Sequence, residues 1–121
     1  MLFGRKKKKG AEDISPAFAI SIPYSSRFKG FKRMKLTTYQ DPLVDIDAIR
    51  NAPDPERVLF EEYLYPDSSP LMRVSFDGIR LGTIWSSYWA EYYDAIRSGR
   101  VSAVSLGLST TDVFLFLKIE K

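Results

Sequence analysis

The stretch VSFDGIRLGTIWSSYWAEYYDAIRSG, residues 74–99, constrains the fold more than any other. Asp77-Gly78 stands between two alternating runs. A two-residue loop of this composition closes an antiparallel hairpin, because its central positions take positive φ and glycine does so without a steric penalty. The turn sets a register in which Phe76 faces Ile79 and Val74 faces Leu81. These four share one side of the ladder, and Ser75 and Arg80 share the other. The hairpin runs straight into a segment with helical period. Trp89, Tyr93 and Ile96 fall at i, i+4 and i+7, and Tyr88, Tyr92 and Ala95 form the adjacent row. Ser86 or Ser87 can cap this helix, Gly99 suits its C-terminal stop, and Arg97 complements its dipole. An aromatic stripe at this spacing is expected to be core, lying over a sheet.

The remaining segments supply strands for that sheet. AFAISI (17–22) puts Phe18, Ile20 and Ile22 on one face and ends at Pro23. YSSRFKGFKRMKL (24–36) has no clean period and reads as a loop leading into a short strand near 34–39. In DPLVDIDAIRNAPDP (41–55), Asp41 can cap a short helix near 42–51, Pro42 suits its first turn, and Pro53 and Pro55 stop it. RVLFEEYLY (57–65) is a strand and PDSSP (66–70) a loop. VSAVSLGL (101–108) and VFLFLKIE (113–120) are strands joined by STTD. Phe114 and Phe116 oppose Val113, Leu115, Leu117 and Ile119 on the last strand, so they need a second cover. The expected class is α+β: a small, mostly antiparallel β-barrel or strongly curved sheet of five or six strands, with one packed helix (86–98) and a short helix near 42–51. Residues 16–121 form the single domain, and residues 1–15 read as a flexible basic tail.

Composition narrows the chemistry. The chain has neither cysteine nor histidine. Disulfides, thiolate and imidazole metal ligation, and Ser-His or Cys-His nucleophiles are therefore excluded. The acids between 41 and 67 are scattered over helix, loop and strand, and no acid stands two residues before a lysine as in many metal-dependent nucleases. GRKKKKGAE lacks the Lys-Ser or Lys-Thr pair of a phosphate-binding loop. The reading is a non-enzyme with no cofactor, metal or catalytic residue. No apolar run approaches the ~20 residues that span a bilayer. MLFGRKKKKG has no apolar core and Leu2 excludes myristoylation, so a cytoplasmic location is expected.

The net charge of +3 is unevenly spread. Residues 1–35 hold ten Lys or Arg and two acids, 36–72 two and eight, 73–121 six and five. The run Arg5 to Lys9 is either a solvated leader or a contact to phosphate, on nucleic acid or an anionic membrane. Single-strand binding by stacking needs rings beside a basic groove. Arg27, Lys29, Phe31, Lys32, Arg33 and Lys35 are candidates, with Arg73 and Arg80 on the outer hairpin face. The plainer reading makes the rings core and the charges a solubilising rim.

From residue 57 on, the order of elements resembles a HIRAN domain. The pieces are LFEEYLYPDSSPLMRVSFDGIRLGTI, the helix SSYWAEYYDAIRSGRV and two strands ending FLFLKIE. LMRV (71–74) stands where that family has Ala-Ile-x-Val, and LGTI (81–84) where it has a glycine-containing second strand. AFAISIPYSSRF takes the place of its first strand, with a weaker match. The resemblance implies a compact β-barrel with a helix over it, in a family found fused to helicase-like ATPases and as small free-standing proteins of bacteria and phages. Some members bind single-stranded DNA ends beside an Asn-Pro-x-Asp-x-Asn loop. Here the motif's Asn, Asp and Asn fall on Tyr65, Ser68 and Pro70, and only Pro66 keeps its identity. The expectation is thus a non-catalytic nucleic-acid-associated accessory domain, with single-stranded DNA or another polyanion as partner. The alternative is a protein–protein interaction module of phage or mobile-element origin that binds no nucleic acid. A third reading has residues 1–9 on an anionic membrane.

Overall fold

Alternation and turn chemistry produce seven strands and two helices in the computed structural model, which describes residues 15–39 and 41–121. In chain order they are β1 (Phe18–Pro23), β2 (Lys32–Lys35), α1 (Ile46–Asn51), β3 (Arg57–Tyr63), β4 (Leu71–Phe76), β5 (Ile79–Trp85), α2 (Ala90–Arg97), β6 (Val101–Leu108) and β7 (Val113–Ile119). The first sheet has the order β1-β3-β4-β5 and the second β2-β7-β6, with every neighbouring pair antiparallel. Alternate residues turn inward to one core: Val58 and Phe60 of β3, Met72 and Val74 of β4, Met34 of β2, Leu115 and Leu117 of β7. Asp77 and Gly78 take φ of 49° and 81°, the pair of positive values that a type I′ hairpin turn requires.

Helix α2 buries Tyr93, Ala95 and Ile96. Its docking is fixed by a carboxylate in an inward position of β3. Glu62, 5% exposed, accepts a hydrogen bond from Tyr93 Oη at 2.6 Å and another from Arg97 Nε at 3.0 Å. The Arg97 guanidinium also lies 4.3 Å from the centre of the Phe18 ring. Burial pushes the Tyr93 hydroxyl well above the ordinary tyrosine range, and the hydrogen bond to Glu62 pushes it further. At the other end, Gly99 N–H donates to Ile96 and Arg100 N–H to Ala95, so a left-handed glycine closes the helix as a Schellman motif.

Several local expectations are corrected. The helix spans 90–97 rather than 86–98. The Trp85 carbonyl accepts from both Tyr88 and Trp89, which holds 86–88 in a turn and leaves Trp89 at the N-cap without a side-chain cap. The short helix begins at Ile46 instead of Pro42 and is capped by Asp45, whose carboxylate accepts from Ala48 N–H at 3.2 Å. Val44 instead bridges Arg80. Strand β2 starts at Lys32, two residues before the expected place.

In the hairpin, Phe76 faces Ile79 and Ser75 faces Arg80, but Val74 faces Gly82, not Leu81, across a register shift. The cause lies outside the hairpin. Residues 36–38 cross β5 here, and Thr37 and Thr83 exchange two backbone hydrogen bonds of 2.9 Å. A Cβ on Gly82, whose φ is 150°, would fall 2.8 Å from Leu36 Cβ and 2.9 Å from the Thr37 carbonyl oxygen. Only glycine fits such an approach, and the bulge accommodates it.

The same junction corrects the expectation of a barrel or one curved sheet of five or six strands. The two sheets meet at isolated bridges, Thr37–Thr83 on one side and Tyr24–Val104 on the other, and among the described residues no continuous ladder closes them. Pro23 has no N–H to donate and ends β1 just where β6 comes alongside. The basic run 5–9 and nearly all of the expected tail lie outside the described residues. Among the described residues no helix is long and apolar enough to cross a membrane.

Candidate nucleic-acid interface

The eight candidate residues divide among three places. Arg73 and Arg80 lie on the outward face of the first sheet, as the hairpin pattern requires, but they share a carboxylate. Arg80 Nη1 donates to Asp41 Oδ2 at 2.8 Å, and Arg73 Nη1 lies 3.9 Å from the same oxygen. Asp41 is only 9% exposed on its side chain, and its Oδ1 accepts from Leu43 N–H. It is therefore the anchor of this arginine pair, not a helix cap. Arg73 also lies 5.8 Å from the centre of the Tyr63 ring. Burial, and then the nearby Glu61 charge, push the Tyr63 hydroxyl up, against a smaller opposing pull from Arg73.

Arg33 and Lys35 sit on the outward face of the second sheet, on either side of buried Met34. They pair across the ladder with Phe116 and Phe114. The Arg33 guanidinium lies 5.4 Å from the Phe114 ring centre, and Phe28 packs on Phe116 with ring centres 4.7 Å apart. The cover that Phe114 and Phe116 need thus comes from the chain's own basic loop. Arg27 and Lys29 are exposed on either side of Phe28. Phe31 is half-buried and donates its N–H to the Phe28 carbonyl. Lys32 stands apart. It points to the other side of β2 and lines a cavity of mixed charge with Glu91, Asp94, Arg100 and Glu120.

Sequence reasoning missed a concave part of the described surface. Two cavities of about 300 Å³ each adjoin where residues 37–39 cross β5, and both are lined by Thr37, Tyr39 and Trp85. The first continues past Tyr65, Ser68 and Arg73. The second continues past Lys35, Tyr88, Trp89 and Asp112. Tyr39 and Tyr88 are 73% and 79% exposed, so their rings are not core. The groove therefore holds both tryptophans of the chain, three tyrosines, and a cation toward each end. Asp41 and Asp112 balance much of its charge. Flat apolar faces with hydroxyls between them suit stacking and hydrogen bonding more than bulk attraction of anions. The one sequence signal able to point here is Gly82, since a glycine inside a strand marks the close approach of another backbone.

Among the described residues no three acidic side chains are grouped as they would be around a metal ion. Comparison with protein-family models, curated proteins and solved structures finds no match to this chain.

Proposed function

We propose that this protein binds single-stranded nucleic acid without catalysis, taking unpaired bases into the groove around Thr37. The observation that carries this is the set of accessible rings, Tyr39, Tyr65, Trp85, Tyr88 and Trp89, around two adjoining cavities, with Lys35 placed to meet phosphate. Stacking of a base on an aromatic side chain contributes ~1–3 kcal/mol and tolerates any sequence. A paired base in a duplex offers no free face, so the groove favours single strands. The resemblance to HIRAN domains supports the same place. The 65–70 loop, which stands where that family orients a nucleotide, forms one wall of the groove through Tyr65 and Ser68. Loss of the motif's Asn and Asp side chains there fits binding by stacking rather than recognition of one particular end.

Both tryptophans line the groove, so selectively excited tryptophan fluorescence reports on binding there. Titration with a thymidylate oligonucleotide should quench that emission, and Tyr39→Ala combined with Tyr88→Ala should weaken binding at least tenfold. No quenching at low salt, or unchanged affinity in the double variant, contradicts the proposal.

A further inference from the structure

The outward face of the second sheet extends this groove, and we propose that it carries the phosphate backbone of the same strand. The inference rests on the single-strand reading. Lys35 belongs to both surfaces: it lines the groove and stands in the outward row of β2 beside Arg33. Outward residues two apart on a strand are about 7 Å from each other, so Arg33 and Lys35 offer two charges at roughly the spacing of neighbouring phosphates. On the neighbouring strand the outward row is Phe114, Phe116 and Lys118, alternating with buried Val113, Leu115 and Leu117. The loop places Phe28 over Phe116, with Arg27 and Lys29 beside it. Gly107 lets the Phe116 ring lie against the sheet, since a Cβ there would come 2.9 Å from the ring's Cε2.

Charge complementarity identifies the occupant. Among the described residues no carboxylate comes within ion-pairing distance of Arg27, Lys29, Arg33, Lys35 or Lys118. Cations with no described carboxylate partner, around a floor of rings, fit a polyanion that also carries flat apolar groups. A nucleic-acid strand has both, and a strand in the groove leaves it at Lys35.

The test compares a thymidylate trinucleotide, short enough for the groove alone, with a dodecanucleotide that reaches the face. Affinities are measured against salt for the full chain and for Arg33→Gln/Lys118→Gln, both exposed positions. Each phosphate contact contributes ~0.7 to the log–log salt slope on single strands. The double variant should therefore flatten the dodecanucleotide slope by about 1.4, from two such contacts, and leave trinucleotide affinity unchanged. Equal dodecanucleotide slopes in the two proteins overturn the assignment while the groove stands. Absence of binding to either oligonucleotide overturns the groove reading and this one with it. Displacement of the dodecanucleotide by polyglutamate of matched charge, at equal concentration, overturns the choice of nucleic acid as occupant.

Discussion

On the outward face of the first sheet, Arg73 and Arg80 converge on one sequestered carboxylate. On the outward face of the second, Arg33, Lys35 and Lys118 stand around phenylalanine rings, with no described carboxylate in ion-pairing distance. Both faces are basic in sequence, yet among the described residues only the first draws its cations into ion pairs with a buried carboxylate. The difference comes from where the acidic middle of the chain is laid down. Asp41, at the head of that block, is carried along the edge of β5 by the Thr37 and Val44 bridges and reaches the arginines of the hairpin. Counting cations along a sequence therefore overstates the unpaired charge on the first sheet. It describes the second more faithfully.

The largest test acts on the junction that both faces share. Gly82→Ala places a methyl against Leu36 and the Thr37 carbonyl in a left-handed backbone, and should cost about 3 kcal/mol in urea unfolding. Gly107→Ala meets only the edge of the Phe116 ring, which can shift, so about 1 kcal/mol is expected. Equal losses would mean that the two sheets are not joined as described.

Next in size is Tyr93→Phe, which removes a hydrogen bond to buried Glu62 and should cost about 2 kcal/mol. Its pH signature distinguishes it from a simple packing loss. The folded protein holds the Tyr93 proton more tightly than the unfolded chain, whose ordinary value is 10.0. The unfolded state therefore binds fewer protons above pH 10, and stability is full below that value and falls above it. The phenylalanine variant should lose the Tyr93 share of that alkaline slope in chemical denaturation series, while Tyr24 and Tyr63, also raised by burial, keep a smaller one.

Asp41→Asn makes the first face resemble the second. It should lower stability by about 1 kcal/mol while freeing Arg73 and Arg80. The salt slope for a thymidylate dodecanucleotide should then steepen by about 1.4, two contacts at ~0.7 each. An unchanged slope would show that pairing with Asp41 does not silence these arginines. Smallest is Tyr88→Ala: a ring this exposed contributes under ~0.5 kcal/mol to folding, so thermal unfolding should stay unchanged while groove affinity drops.

What the sequence revealed follows the range of the forces involved. The hairpin, the strand alternation, the Tyr93–Ile96 stripe and the Gly99 stop are local, and each was legible. The placement of Asp41 was not, because Asp-Pro before an apolar stretch is an ordinary helix start and nothing nearby names a distant arginine. Nor were Trp89 and Tyr88 separable from Tyr93. Helical period assigns all three to a helix, but the tight turn at Trp85 leaves Tyr88 exposed and Trp89 only partly buried against the core. The groove arises where 36–38 crosses β5, a contact between residues far apart in the chain. Gly82 signalled the approach without naming the partner.

Amide chemical-shift mapping with a thymidylate dodecanucleotide addresses the central claim most directly, because it locates the strand on the described surface. Expected are perturbations at 37–39, 65–73 and 83–89, continuing through 33–35 and 114–118, with the Glu62–Tyr93 layer undisturbed. Perturbations confined to residues 1–14, or none at low salt, would contradict it.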